Sequence, residues 1–166
     1  MSFRGPTRRS ILIGALAALL PTMAVTAGPP VTADRIVVHK GARRLDLLRA
    51  GQVIRSYPIR LGANPAGPKV FQYDGRTPEG EYTIDGRSQA TAYHLALHIS
   101  YPQPPNVARA AKYGLPPGGG IFIHGTPGRG ARFDRDWTDG CIAVSNRAMD
   151  EIWKAVANGT PIDIQP

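Results

Sequence analysis

Short stretches of alternating apolar and polar residues, separated by turns rich in glycine and proline, make up most of this chain after residue 34. A period of two residues is typical of β-strands that bury one face. The predicted strands are residues 35–39, 44–48, 52–60, 81–85, 93–100, 121–124, 141–144 and 160–165. No internal repeat or separable second segment interrupts them, so the pattern predicts one mostly β domain.

Two segments do not follow the strand pattern and are predicted to be helices. The clearer helix is expected over residues 146–157, where Ser145 or Asn146 can cap its start. Its apolar stripe consists of Met149, Ile152, Trp153 and Val156. A short helix is expected over residues 106–113. Residues 61–78 are rich in glycine and proline, which predicts a loop that crosses the surface.

The first 27 residues predict a secretory signal peptide. Three arginines among the first nine residues precede an apolar run over residues 11–20, and small residues end at Ala27, where cleavage is expected. The apolar run is too short to span a bilayer, which disfavours the alternative of an uncleaved anchor. The paired arginines also resemble a twin-arginine signal, so the export route stays open. Residues 28–34 are then a linker before a domain over residues 35–166.

Charge and cysteine content exclude several classes of function. The 166-residue chain has a net charge of +8, and loss of Arg4, Arg8 and Arg9 with the leader would lower it to +5. The other arginines are scattered without an aromatic-interleaved basic patch, so nucleic-acid binding is not expected. One cysteine and four dispersed histidines lack the spacing of a zinc site, so no metal is expected. After export, a single unpaired thiol is a liability unless it has a function.

That thiol belongs to Cys141, in the run TDGCIAVSN, and His124 lies 17 positions upstream at the end of the predicted strand in IFIHG. A lone cysteine is often only a space-filling residue. A thiol beside an imidazole, however, can ionise near neutral pH and attack a carbonyl carbon. We therefore predict Cys141 as the nucleophile and His124 as its base. The backbone N–H groups of Gly140 and Cys141 are predicted to form an oxyanion hole.

Asp139 has two interpretations that the sequence leaves open. Its carboxylate could orient an imidazole, as the third member of a catalytic triad does. It could equally be a turn residue, since Asp-Gly is a common turn pair. A carboxylate so close to Cys141 would also raise the pKa of the thiol. Thr138 and Gly125, which neighbour the reactive residues, are further candidates for supporting roles.

Four residues are candidates for substrate binding: His98, Arg129, Arg132 and Arg135. In a strand, His94 and His98 would share one face about 13 Å apart, too far to ligate one metal ion directly, and one of them could line the groove. The arginines lie in the spacer before Cys141 and could bind substrate carboxylates in bidentate fashion. The alternative for each arginine is a solvated position in a charged loop.

Taken together, these segments resemble the L,D-transpeptidases with a YkuD-type catalytic domain. The family pattern is a histidine, a spacer, and then Ser/Thr-His-Gly-Cys. The matching positions are His124, Thr138, Gly140 and Cys141. The runs LGANPAGPK, RTPEGEY and ALHISYP are also similar, so the likeness covers about residues 35–166. Asp139 replaces the second histidine, and Ala143 stands where many members have a polar residue, so the chain resembles a divergent branch.

The resemblance implies a single YkuD-like β-sandwich domain with one helix in its C-terminal half and a second, short helix. It implies action on peptidoglycan stem peptides. From the predicted leader we expect a location in the periplasm or cell envelope, without stable membrane insertion after cleavage, and we expect a monomer. Cys141 would attack the carbonyl before the terminal D-alanine, and the thioester would pass to an amine as a 3→3 cross-link. No metal or organic cofactor is implied. One alternative is an L,D-carboxypeptidase or amidase with water as acceptor, and another is an inactive wall-binding module.

Overall fold

The computed structural model of the protein describes Met1, residues 32–128 and residues 134–166, without the side chain of Ala90. Residues 2–27 of the predicted leader, residues 28–31 of the linker, Arg129 and Arg132 lie outside the described residues. Within the described ranges, no helix has both the length and the apolarity needed to cross a bilayer.

The described residues form eight strands and two helices. The strands are β1 (Arg35–His39), β2 (Arg44–Arg49), β3 (Gln52–Pro58), β4 (Gly80–Thr91), β5 (His94–Ile99), β6 (Phe122–His124), β7 (Ile142–Ala143) and β8 (Pro161–Gln165). The helices are α1 (Pro104–Ala111) and α2 (Asn146–Ala155). The prediction of a mostly β domain with a late helix is confirmed, and the bounds of several elements differ from those expected.

The largest difference is in β4, which runs on to Thr91 instead of ending at residue 85. The pair Asp85–Gly86 has turn chemistry, yet here it stays within the strand. A register shift between Ile84 and Gly86 accommodates it, and Gly86 then pairs with His98 of β5. An alanine Cβ at Gly86 would lie 3.1 Å from the Cβ of His98, so the bulge depends on the close approach of these two strands.

Four smaller corrections concern the bounds of β3, α1, α2 and β7, and the first three have local causes. β3 ends at Pro58, because the backbone of Arg60 instead pairs with Ala143. α1 begins at Pro104, since proline suits the first helical position, whose N–H would have no partner. α2 ends at Ala155, because Val156 takes an extended conformation with φ −111°. β7 covers only two of the four residues expected.

The strands form one sheet in the order β3-β2-β1-β8-β4-β5-β6-β7. The pairs β1–β8 and β6–β7 are parallel, and the others are antiparallel. β4 pairs with β8 through its first residues and with β5 through the remainder, so it joins the two halves of the sheet. The bridge between Arg60 and Ala143 brings the ends of the sheet together. The sheet therefore folds onto itself around one core.

That core contains fully buried side chains from both halves of the sheet and from α2. Ile36 and Leu45 come from the first half, Ile123 and Ile142 from the second, and Met149 from the helix. Each fully buried aliphatic side chain contributes about 1.5–3 kcal/mol relative to an exposed one. Because β6 and β7 are anchored in this core, the residues at their ends are held in place.

The loop between β3 and β4 packs around two buried lysines. Lys40 donates to the carbonyl oxygens of Gly67 (2.6 Å) and Thr77 (3.0 Å) and to the Glu79 carboxylate (2.7 Å). Lys69 pairs with Asp74 at 2.8 Å. The glycines and prolines correctly predict a loop here, and these internal ionic contacts determine its shape.

Candidate active site

Cys141 and His124 are brought together by the parallel pair β6–β7. His124 is the last residue of β6 and lies opposite Ala143 in the register, while Cys141 immediately precedes β7. Both side chains line one cavity of about 490 Å³. Its other walls are Ser88, Thr91, Tyr93, Ala96, Gly120, Phe122, Trp137, Thr138 and Asp139. His124 and Cys141 are 17 positions apart in the sequence, and the pairing of β6 with β7 brings them to the same cavity.

The turn before Cys141 is shaped by Thr138 and Gly140. The Thr138 hydroxyl donates to the Cys141 carbonyl oxygen (2.7 Å) and accepts from the Gly140 N–H (3.2 Å). Gly140 has φ +131°, and a Cβ there would lie 2.6 Å from the carbonyl oxygen of Arg76. The Gly140 N–H is therefore engaged within the turn. The Cys141 N–H has no hydrogen-bond partner among the described residues, so of the two expected oxyanion donors it is the one still available.

His124 is buried, and its orientation comes from a backbone carbonyl. Nδ1 lies 2.6 Å from the Gly125 carbonyl oxygen, which can only accept, so Nδ1 carries the proton. The neutral ring consequently has an unprotonated Nε2 that can take a proton. Tyr93 and Trp137 enclose the imidazole, with ring centroids at 4.8 Å and 5.8 Å. Burial lowers the pKa of His124, because the surrounding protein disfavours the charged ring.

The thiol of Cys141 lies in an environment that favours its protonated form. Sγ is 3.6 Å from the carbonyl oxygen of Gly120, an acceptor for the S–H. Burial raises the pKa of the thiol, and the negative charge of Asp139 raises it further. A hydrogen bond from the Phe122 backbone and the charge of Lys69 act in the opposite direction. The raised pKa of Cys141 is opposite in direction to the lowering that a nearby imidazole would cause.

Asp139 lies at the cavity but is exposed and makes no hydrogen bond to the imidazole within the described structure. The Nδ1 position it would need is already taken by the carbonyl of Gly125. That carbonyl gives Gly125 a supporting role in this geometry. An alanine Cβ at Gly125 would lie 2.4 Å from the side-chain oxygen of Asn146, so the close packing here also requires glycine.

The two candidate substrate-binding residues that the structure describes, His98 and Arg135, do not line the cavity. His98 pairs with Asp85 (2.5 Å) and packs edge-on against Phe122, with ring centroids 4.8 Å apart, and it does not line the cavity. His94, the other histidine of that strand, pairs with Asp150 at 2.8 Å. Arg135 is exposed. Arg129 and Arg132 fall outside the described residues.

Sequence reasoning missed two aromatic walls and one cation. In the sequence, Tyr93 is an ordinary strand residue and Trp137 an ordinary loop residue. Only the tertiary structure places their rings around His124. Lys69 lies in a loop with no charge pattern, yet its charge acts on the Cys141 thiol. The one sequence signal for an aromatic residue at the site was that Trp137, in a charged loop, immediately precedes the run TDGC.

A buried histidine held by a backbone carbonyl and a cysteine that lines the same cavity form a candidate cysteine–histidine active site on a mostly β fold. Comparison with known proteins identifies the family of the chain. Residues 33–164 match the family model described as YkuD, the L,D-transpeptidase catalytic domain. The chain therefore belongs to the YkuD family of L,D-transpeptidase catalytic domains.

Individual relatives agree with this assignment. The Escherichia coli K12 protein named "Putative L,D-transpeptidase YafK" is 31% identical over 131 residues, which cover 73% of this chain and 46% of YafK. The structure of Bdellovibrio bacteriovorus Bd1075 is 26% identical, with a TM-score of 0.58, and the match covers 81% of this chain and 48% of Bd1075. The chain thus spans about half the length of these relatives.

One further solved structure shares the fold. It is the helical cell shape determining protein Pgp2 of Campylobacter jejuni, as its K307A mutant, with a TM-score of 0.65 and 24% identity. The match covers 81% of this chain and 47% of Pgp2. This likeness supports the YkuD-type fold described above.

Proposed function

We propose that this protein is an exported cysteine acyltransferase that acts on peptidoglycan stem peptides. The observation that carries the proposal is the arrangement of Cys141 and His124 in one cavity, with His124 held so that Nε2 can accept a proton. A nucleophile, a base and a group that orients the base are the parts that acyl transfer requires. Membership of the L,D-transpeptidase family supports the substrate class.

In the first half-reaction, the Cys141 sulfur attacks the carbonyl carbon that joins the third stem residue to the terminal D-alanine. The thiol proton passes to Nε2 of His124, and the negative charge on the carbonyl oxygen is stabilised by the Cys141 N–H. The carbon–nitrogen bond then breaks as the His124 imidazolium protonates the departing amine. D-alanine leaves, and the acyl group remains on Cys141 as a thioester.

In the second half-reaction, the amine of another stem peptide attacks the thioester carbon. His124 takes a proton from this amine, the carbon–sulfur bond breaks, and the thiolate takes a proton back from the imidazolium. The product is a 3→3 cross-link, and the free thiol is restored. Water attacking in place of the amine would give a shortened stem peptide without a cross-link.

The test is incubation of the purified protein with tetrapeptide-bearing muropeptides, followed by mass spectrometry. We expect cross-linked dimers with release of D-alanine. If only tripeptide products form, the acyl acceptor is water and the reaction is hydrolysis. Unchanged muropeptides would contradict the proposed substrate.

Cys141→Ser supplies the matched control, because a hydroxyl has nearly the size of a thiol but is far less acidic. This variant should keep its circular dichroism spectrum and lose conversion. His124→Ala should remain folded and slow both conversion and thiol alkylation at neutral pH. Full conversion by Cys141→Ser would refute the assignment of the nucleophile.

A further inference from the structure

A second, smaller cavity of about 110 Å³ also borders Cys141. It shares Gly120, Asp139 and Cys141 with the larger cavity that contains His124. Its remaining walls are Lys69, Gln72, Tyr73, Gly118, Gly119 and Ile121. The nucleophile therefore lies at the junction of two spaces, and a buried cation lines the smaller one.

The ammonium group of Lys69 has spare hydrogen-bonding capacity. Lys69 is 3% exposed, and its Nζ has one hydrogen-bond partner among the described residues, Asp74 at 2.8 Å. Lys40 is buried to the same degree, but it donates all three of its N–H groups to Gly67, Thr77 and Glu79. A buried ammonium with two undonated N–H groups is costly, and a ligand anion would satisfy it.

Asp74 does not depend on Lys69 for its own hydrogen bonds. Its carboxylate accepts from the backbone N–H groups of Val70 (2.7 Å), Phe71 (3.3 Å) and Arg76 (3.0 Å). The loop is therefore held by the carboxylate whether or not the lysine is present. The structure of the loop therefore does not explain why a lysine is buried at a cavity that Cys141 also lines.

The cavity suits a small anionic group. Gly118, Gly119 and Gly120 form one wall without side chains, so a ligand can approach the backbone closely. A volume of about 110 Å³ is far below that of an ordinary ligand pocket, about 300–1,000 Å³, and is of the size that a carboxylate-bearing residue needs. Asp139 also borders this space, but its side chain is exposed, so solvent and ions screen its repulsion.

We propose that Lys69 binds the free carboxylate of the acyl donor on the leaving side of the scissile bond. This inference rests on the proposed function. In a peptide, only a nitrogen and an α-carbon separate the attacked carbonyl carbon from the carboxyl carbon of the next residue. A cation in a space that borders the thiol is therefore placed to meet that carboxylate. Lys69 would select stem peptides whose leaving residue is the terminal one, because in a longer stem this carboxyl is an amide.

The first test does not require turnover. The protein contains one cysteine, so alkylation reports on Cys141 alone. Iodoacetate carries a carboxylate and iodoacetamide is its neutral counterpart. We expect Lys69→Met to lower the rate with iodoacetate about tenfold more than the rate with iodoacetamide, because a charge-assisted hydrogen bond is lost. Equal losses would mean that Lys69 acts only on thiol ionisation, and unchanged rates would mean no role; either result overturns the proposal.

Lys154→Met is the matched control, because it removes the same charge from an exposed position on α2. It should leave the ratio of the two rates unchanged. Wild-type protein provides a measurement that does not depend on the folding of a variant. Its iodoacetate-to-iodoacetamide ratio should exceed that of N-acetylcysteine, and a ratio at or below that of the free thiol would overturn the proposal.

The second test uses tetrapeptide muropeptides with a free or an amidated terminal D-alanine. Wild-type protein should convert the free acid at least about tenfold faster in kcat/KM, and Lys69→Met should abolish this preference by slowing only the free acid. Equal slowing of both substrates would contradict the proposal. If no muropeptide is converted while the alkylation preference is present and depends on Lys69, the proposed function fails and the anion site stands.

Discussion

At the scale of single residues, the orientation of His124 by a backbone carbonyl is the central feature of the site. The carbonyl of Gly125 sets the tautomer, and the rings of Tyr93 and Trp137 bury the imidazole. Burial lowers the pKa of His124 and raises the pKa of the Cys141 thiol, since it disfavours both charged forms. In the proposed mechanism, charge on the two side chains develops only during the reaction.

This electrostatic balance predicts a particular pH dependence. The pKa of Cys141 is raised above its ordinary value of 9.0, so the alkylation rate with iodoacetamide should still be rising at pH 9. The pKa of His124 is lowered from 6.5, so the acid limb of kcat/KM should fall below pH 6.5, where the imidazole becomes protonated. Alkylation and turnover are measured across the same buffers. An alkylation rate that levels off near neutral pH would show an ionised thiolate–imidazolium pair instead.

Asp139 gives a second residue-scale prediction. We expect Asp139→Asn to change the single-turnover rate by less than about tenfold, because asparagine suits the same turn and Gly125 already orients the imidazole. It should also lower the pKa of Cys141, since a nearby negative charge is removed. The alkylation profile would then shift toward lower pH.

Asp139→His provides the comparison, because it restores the histidine of the family pattern. It should lower the thiol pKa in the same direction and shift products toward cross-links. A loss beyond about a thousandfold in Asp139→Asn, with an unchanged circular dichroism spectrum, would make Asp139 a catalytic residue.

At the scale of elements, the site depends on the junction of β6, β7 and the turn that precedes β7. The parallel register places Ala143 opposite His124, while the Thr138 hydroxyl and Gly140 shape the turn that presents Cys141. The bridge from Arg60 to Ala143 ties this junction to the opposite end of the sheet. The position of the thiol is consequently a property of strand pairing and of one tight turn.

Gly140→Ala tests this dependence. Residue 140 has φ +131°, and an added Cβ would lie 2.6 Å from the carbonyl oxygen of Arg76, so we expect a loss of more than about 3 kcal/mol in the free energy of unfolding. Gly159→Ala is the matched control, with φ +88° and no atom within 4 Å of the added Cβ. It should cost only about 1–2 kcal/mol. Urea unfolding measures both variants, and equal losses would contradict the role of the close contact.

At the scale of the whole molecule, one core supports both halves of the folded sheet. The loop between β3 and β4 closes over this core through Lys40, which is 2% exposed and satisfies three acceptors. Removing one partner from such a buried ionic contact typically costs about 3–5 kcal/mol. The same loop carries Lys69 to the cavity beside Cys141, so its packing connects stability to the site.

The predicted leader belongs to this scale as well. We expect export with cleavage near Ala27, which would leave a mature protein with a net charge of about +5, because the three leader arginines are lost. Intact-mass measurement and N-terminal sequencing of protein from the cell envelope would locate the cleavage site. A chain that still begins at Met1 and remains in the membrane fraction would show that the apolar run is an anchor.

Much of this protein follows from local sequence. Strand alternation, the apolar stripe of α2 and the glycine- and proline-rich loop predict the mostly β fold, because these patterns depend on neighbours along the chain. Cys141 and His124 stand out by residue type: a lone thiol, and a histidine at the end of an apolar strand. Strand ends were less predictable, as β4 shows, because pairing with β5 overrides the turn preference of Asp85–Gly86.

Only the tertiary structure decided what surrounds the reactive pair. The carbonyl of Gly125 leaves no mark in the sequence, because every residue has a backbone carbonyl and only the fold brings one to Nδ1. The protonation of Cys141 depends on burial, which is a property of the packed molecule. Two buried lysines look alike in sequence, but among the described residues Lys40 has three hydrogen-bond partners and Lys69 has one, because their surroundings come from segments distant along the chain.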